Sequence, residues 1–199
     1  MTAGMPEPRA RGYTAAMRTM HWLTVALLLF AYPLAWSIDD AASAAEAARL
    51  VMLHRSFGVL LLLITLVRLA WRRRTHIPAL PPELPSWQVS AARANTVMLY
   101  ALLLAQPVLG LTASWLHGDH VVIFGMARVP ALLPPDRPLG RLLFWLHGRV
   151  ALLLLAVIGL HVAAALHHHF VRRDDVLSGM LASRAPRPAA EPERTESPR

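Results

Sequence analysis

The sequence predicts an all-α membrane protein: a four-transmembrane-helix bundle with both termini cytoplasmic. Three observations carry that expectation. First, hydrophobic residues make up 55% of the 199 and charged residues only 16%, and the apolar ones gather into four runs, at about residues 15–37, 48–71, 92–116 and 141–170. Each run reaches the ~20 residues that a helix needs to cross a bilayer. Second, nothing in the chain alternates like a membrane β-strand, so helix is the state that satisfies the backbone away from water. Third, the charges are sorted. The formal charge of +8 comes from arginine, since no lysine is present, and the arginines stand where alternate runs begin and end.

Residues 1–14 read as a short disordered cytoplasmic leader. Arg9, Arg11 and Arg18 mark the entry to the first run, while the loop after it carries Asp39, Asp40, Glu46 and Arg49. Ala41-Ala42-Ser43-Ala44 imitates a signal-cleavage site. The run before it is long and holds His21 and Tyr32, so a retained helix is expected. Arg72, Arg73 and Arg74 close the second run, and Pro78, Pro81, Pro82 and Pro85 stiffen the connection to the third, which Arg93 opens. The loop at 117–140, with Phe124-Gly125, Pro130, Pro134, Pro135 and Pro138, is expected to fold back as an interfacial cap. Arg172 and Arg173 close the fourth run. This bias puts the termini and the middle loop in the cytoplasm. Trp22 and Trp71 fall near those ends and Trp36, Trp115 and Trp145 near the opposite ones, as interfacial indoles do. A di-haem domain is expected over 15–182, and the tail at 183–199, rich in Pro, Ala, Glu, Arg and Ser, is expected to be disordered.

The arginine excess therefore reads as membrane orientation, and nucleic acid is not expected as a partner. With no cysteine, disulfides, thiolate haem ligation and iron–sulfur clusters are excluded.

Four histidines lie within the runs. His147 and His161 are fourteen residues apart on the last one, nearly a whole number of turns, so both leave one helix face, roughly 21 Å apart along the axis. His21 lies early in the first run and His54 early in the second. With the helix directions fixed by the arginines, depths match in pairs: His21 with His161 on the inner side, His54 with His147 on the outer side. Intramembrane polar rings are costly unless something binds them. Two pairs of neutral imidazoles suit two haem irons, each held from both sides in a low-spin centre fit for electron transfer. Without C-x-x-C-H the haems are b-type. Zinc is the weaker alternative, since same-face ligands to one zinc lie three or four residues apart. Gly58, Gly148 and Gly159 could admit a flat ring or merely allow helices to pack. Arg55 and Arg149 lie near the outer centre and Arg18 near His21; for Arg18 and Arg149, snorkelling to headgroups is the favoured reading. Arg68, fourteen residues after His54, is expected near the inner centre as a propionate or substrate partner. His76, His117 and His120 read as solvated loop residues. Of His167, His168 and His169, one such as His168 could serve a quinone or a proton path.

The stretches Arg18-Thr-Met-His21-Trp22-Leu23, Leu53-His54-Arg55-Ser56-Phe57-Gly58, Gln106-Pro107-Val108-Leu109-Gly110-Leu111 and Phe144-Trp145-Leu146-His147 resemble the bacterial cytochrome b561 family. So do Phe124-Gly125 with Pro130, Gly159-Leu160-His161 and His168-His169-Phe170. The resemblance spans about residues 13–182. It implies a four-helix inner-membrane cytochrome with two haem b groups, ligated by His21, His54, His147 and His161, that exchanges electrons with ubiquinone. Some members are similar to a superoxide oxidase that passes electrons from periplasmic superoxide to ubiquinone. Any family role for a lysine near the substrate would here fall to arginine or be missing.

The expected function is electron transfer between a donor, superoxide among the candidates, and the ubiquinone pool. A second reading is a cytochrome b anchor that relays electrons for a separate dehydrogenase or hydrogenase; the short loops offer such a partner little surface. A haem-free transporter or structural bundle leaves the four depth-matched histidines unexplained.

Overall fold

The computed structural model describes residues 13–75 and 84–181. The expected leader and tail, the prolines at 78, 81 and 82, and His76 lie outside the described residues, apart from Tyr13 and Thr14. Four long helices dominate: α1 (Ala15–Trp36), α2 (Ala44–Arg74), α3 (Ser86–His117) and α4 (Arg137–His167). A hairpin of β1 (Val121–Ile123) and β2 (Ala127–Val129) joins α3 to α4, and a π-helical turn (His168–Arg172) continues α4 toward the short α5 (Ser178–Leu181). All four long helices are long and apolar enough to cross a membrane.

Polar residues cap three of the helices, and α2 and α4 begin before their apolar runs. The Thr14 hydroxyl accepts from the Met17 amide. Ser43 accepts from the Glu46 N–H while the Glu46 carboxylate reaches back to the Ala42 N–H, a reciprocal box that starts α2 four residues before its apolar run. Glu46 and Arg49, expected in a loop, are therefore helical. Asp136 caps α4 by accepting from the Leu139 N–H. Gly118, at φ 92°, ends α3 in a left-handed conformation that glycine adopts without strain.

In packing, α1 lies on α2, α2 on α3 and α3 on α4; the Tyr32 hydroxyl donates to the Ala151 carbonyl at 2.7 Å and ties α1 to α4. The core is a leucine layer of Leu27, Leu61, Leu102, Leu103 and Leu154. Leu154 sits seven residues from both His147 and His161, and is 1% exposed. Outward the helices show leucine and phenylalanine, such as Leu29, Phe30 and Leu160, as lipid-facing helices do. Buried hydroxyls settle their needs locally: Thr24, Ser56, Thr65 and Ser114 each donate to the carbonyl one turn back, so none is left bare in an apolar interior.

The 117–140 segment folds back on the bundle as expected, through the hairpin: the Phe124 N–H donates to Ser56 Oγ at 2.8 Å, and Val121 is fully buried. One expectation is corrected. Trp115 is not an interfacial anchor. It is 8% exposed, whereas Trp22, Trp36, Trp71 and Trp145 are all exposed, because the hairpin and the start of α4 cover the end of α3: the Asp136 N–H donates to the Leu116 carbonyl.

Candidate functional site

The fourteen-residue offset on α4 places His147 toward the hairpin end and His161 toward the end where the termini converge. Opposite them, α2 presents His54 and α1 presents His21. The His54 and His147 rings stand 6.1 Å apart between centres, and the His21 and His161 rings 6.3 Å apart. A metal between two imidazoles needs two bonds of about 2 Å plus two ring radii, about 6 Å in all. Both pairs meet that requirement.

At the hairpin end the orientation is set by backbone. His54 Nδ1 lies 2.9 Å from the Ala31 carbonyl and His147 Nδ1 3.0 Å from the Gln106 carbonyl. A carbonyl only accepts, so both Nδ1 atoms carry the proton and both Nε2 lone pairs are free, the arrangement that metal-ligating histidines use. Gln106 closes the loop by donating its side-chain N–H to the His147 carbonyl at 2.9 Å. Gly110 is required there: a Cβ on it would stand 2.9 Å from His147 Cε1. A cavity of about 290 Å³ runs between the two rings, with Gly58, Pro107, Gly110 and Phe144 in its lining. No atom lies within 4 Å of where a Gly58 Cβ would be, so the glycine keeps that wall flat. Gly148 and Gly159 touch nothing in the same sense.

At the termini end, side chains do this work. Asn95 Nδ2 lies 3.3 Å from His161 Nδ1, and Asn95 Oδ1 is buried without a partner. The two ends of an amide have the same shape; turned over, Oδ1 accepts from His161 Nδ1–H, which leaves Nε2 as the free lone pair. Arg68 donates to His21 Nδ1 at 3.1 Å. A guanidinium has no acceptor, so in this contact Nδ1 is the lone pair. For His21 to ligate through Nε2, Arg68 must donate elsewhere. His54 and His147 thus fit a b haem outright, His161 fits with the Asn95 amide turned over, and His21 fits once Arg68 turns to another acceptor.

The remaining candidates fall around these pairs. Arg55 forms an ion pair with Asp119, beside an open cavity of about 600 Å³ that also takes in His117, His120 and Phe144. Arg55, Val51 and Phe144 line both cavities. His117, expected in solvent, instead packs its ring on Phe144 at 5.8 Å with a buried Nδ1; His120 is exposed. Arg149 lies over the Trp145 ring at 5.3 Å and Arg18 donates to the Tyr13 carbonyl at 2.9 Å. His168 faces Asp174, with Nδ1 2.5 Å from Oδ2. Asn95, Gln106 and Gly110 were given no role by the sequence. The signal was there for two of them, since an amide inside an apolar run must find a partner.

A family model described as prokaryotic cytochrome b561 matches residues 12–183. Cytochrome b561 homolog 2 of Escherichia coli K12 is 31% identical over 175 residues, covering 85% of this chain and 90% of the relative. A probable superoxide oxidase CybB of Yersinia pestis is 27% identical over 172 residues, 85% of this chain and 95% of that one. Cytochrome b562 of Cereibacter sphaeroides is 28% identical over 183 residues, 87% and 97% of the two chains. Taken with the four helices and the facing imidazoles, the match says that the chain belongs to the prokaryotic cytochrome b561 family, multi-pass membrane electron-transfer proteins that bind haem b.

Proposed function

We propose that the protein is a di-haem cytochrome of the bacterial inner membrane that passes electrons from a donor on the outer side to the ubiquinone pool. The observation that carries this is the double pairing: two sets of facing imidazoles, 6.1 and 6.3 Å between centres, fourteen residues apart on α4. In this reading His54 and His147 hold the outer haem, and His21 and His161 the inner one. Arginine bias orients the chain, with both termini cytoplasmic and the hairpin outside. Haem b supplies a one-electron carrier when bound. Ligation by both imidazoles of a pair would leave the iron no position for dioxygen, and the apolar layer with Leu61 and Leu154 would separate the two centres.

Superoxide is the proposed donor, supported by the likeness to the Yersinia pestis protein. The 600 Å³ cavity beside Arg55 opens toward that side and shares its wall with the His54–His147 cavity, which suits a small donor. The balance is simple: two superoxide ions each lose one electron and leave as dioxygen, and one ubiquinone takes two electrons and two protons. His168, held by Asp174, is a candidate for the proton path at the inner end. The competing reading is a cytochrome b anchor serving a separate dehydrogenase.

The test is direct. Purified protein should contain two low-spin b haems per chain, be reduced by enzymatically generated superoxide, and be reoxidised by a short-chain ubiquinone. One haem per chain would end the double pairing. Two haems that ignore superoxide, in a protein that co-purifies with a catalytic subunit, would establish the anchor instead.

A further inference from the structure

Beyond the histidine pairs, the most unusual electrostatic feature is at the termini end of α2. Arg68 and Arg72 are four residues apart on one helix face, so their charges are neighbours that repel. Their guanidinium carbons stand 5.5 and 5.9 Å from the centre of the Tyr100 ring on α3. Tyr13 comes from the other side: burial pushes its phenol up, and the charges of Arg72 and Arg68 pull it back down. Both arginines are only half-buried to partly exposed, within a helix that spans the bilayer. Arg55–Asp119, His168–Asp174 and Arg172–Asp174 are ion pairs, whereas among the described residues neither Arg68 nor Arg72 has a carboxylate partner.

Two adjacent, partly buried cations over one tyrosine ring, without a carboxylate partner, make an anion site. Its distance from the histidines identifies the anion. Arg68 is already in contact with His21, and His21 can present Nε2 only if that guanidinium finds another acceptor. We propose that Arg68 and Arg72, braced on the Tyr100 ring, bind the propionate carboxylates of the haem held by His21 and His161. This assignment rests on the reading of a haem at that pair. Guanidinium suits the task because its planar fork matches a carboxylate bidentately. The hairpin end is built otherwise: Arg55 already has its carboxylate in Asp119. A phosphate from a lipid headgroup shares the same anionic-oxygen chemistry and is the rival occupant.

The experiment uses holoprotein carrying haem labelled with ¹³C at the propionate carboxyls, compared as wild type, Arg68→Gln, Arg72→Gln and Arg68→Lys. Redox-difference infrared spectra and the two midpoint potentials are recorded. The expected result is a shift of the labelled carboxylate bands in both glutamine variants and a fall in one midpoint potential, that of the His21–His161 haem, with the other unchanged. Arg68→Lys should restore the potential more than the band position, since it returns charge but not the fork. Labelled bands that stay put in both glutamine variants would overturn the proposal and leave the headgroup phosphate. Should Arg68→Gln fail to load its haem, Arg72→Gln decides on the same criteria. Absence of a second haem from wild type would instead refute the double pairing on which the assignment rests.

Discussion

The two histidine pairs of this protein are nearly identical in spacing and opposite in support. At the hairpin end the Nδ1 atoms face main-chain carbonyls, of Ala31 and Gln106. At the termini end they face side chains, of Asn95 and Arg68. Carbonyls within helices are fixed by the hydrogen-bond ladder and cannot be altered by substitution, so the first pair is rigid and electrically plain. The second pair is adjustable: an amide that can turn over and a cation that can change acceptor set its orientation and its field. The environment of a redox centre tunes its potential through hydrogen bonds and charge. In the di-haem reading the chain therefore carries one centre with a fixed setting and one whose setting evolution can move a residue at a time.

The strongest way to break the comparison is to remove ligands. His54→Ala and His147→Ala should abolish one and the same component of the haem spectrum, and His21→Ala and His161→Ala the other. Haem content should fall from two to one per chain in all four. A variant of one pair that erased the component of the other would refute the pairing.

A smaller effect should come from Gly110→Ala. A Cβ there meets His147 Cε1 at 2.9 Å, and the ring cannot retreat without losing the Gln106 carbonyl. Overpacking of this kind costs about 1–3 kcal/mol. The expected outcome is a weakened or distorted hairpin-end haem, read as a split or broadened low-spin signal in electron paramagnetic resonance, beside an unchanged termini-end haem. Equal disturbance of both would mean that the pairs are mechanically coupled and that the contrast drawn here is superficial.

Much of this was legible before any coordinates. Apolar run length fixed the four helices, and helical periodicity with the arginine bias sorted His21, His54, His147 and His161 by depth; Arg68 was expected beside the inner centre for the same reason and lies against His21. What escaped was whatever depends on rotation about a helix axis or on local capping. Trp115 looked like an interfacial indole because its position along the chain was right, but the covering hairpin is a tertiary fact. The box of Ser43 and Glu46 moved the start of α2. Asn95 lies only three residues into the third apolar run, where a polar residue reads as boundary. Its depth matches that of His161 only after the helix is extended back to Ser86.

Asn95 gives the finest test of the contrast. Its counterpart at the hairpin end is a carbonyl that no mutation can remove, so only the termini end offers this lever. Asn95→Leu should leave Nδ1–H of His161 unsatisfied, which costs about 1–3 kcal/mol and about tenfold in cofactor affinity. Asn95→Asp should act in the opposite sense on binding. A carboxylate accepts the Nδ1 proton more strongly than an amide oxygen, makes the imidazole a better donor, and so favours the more oxidised metal. The expected pattern is a weaker haem in Asn95→Leu, and a tighter one with a lower midpoint potential in Asn95→Asp, with the hairpin-end potential constant in both. If the two variants moved the potential alike, Asn95 would be filling space rather than holding a proton.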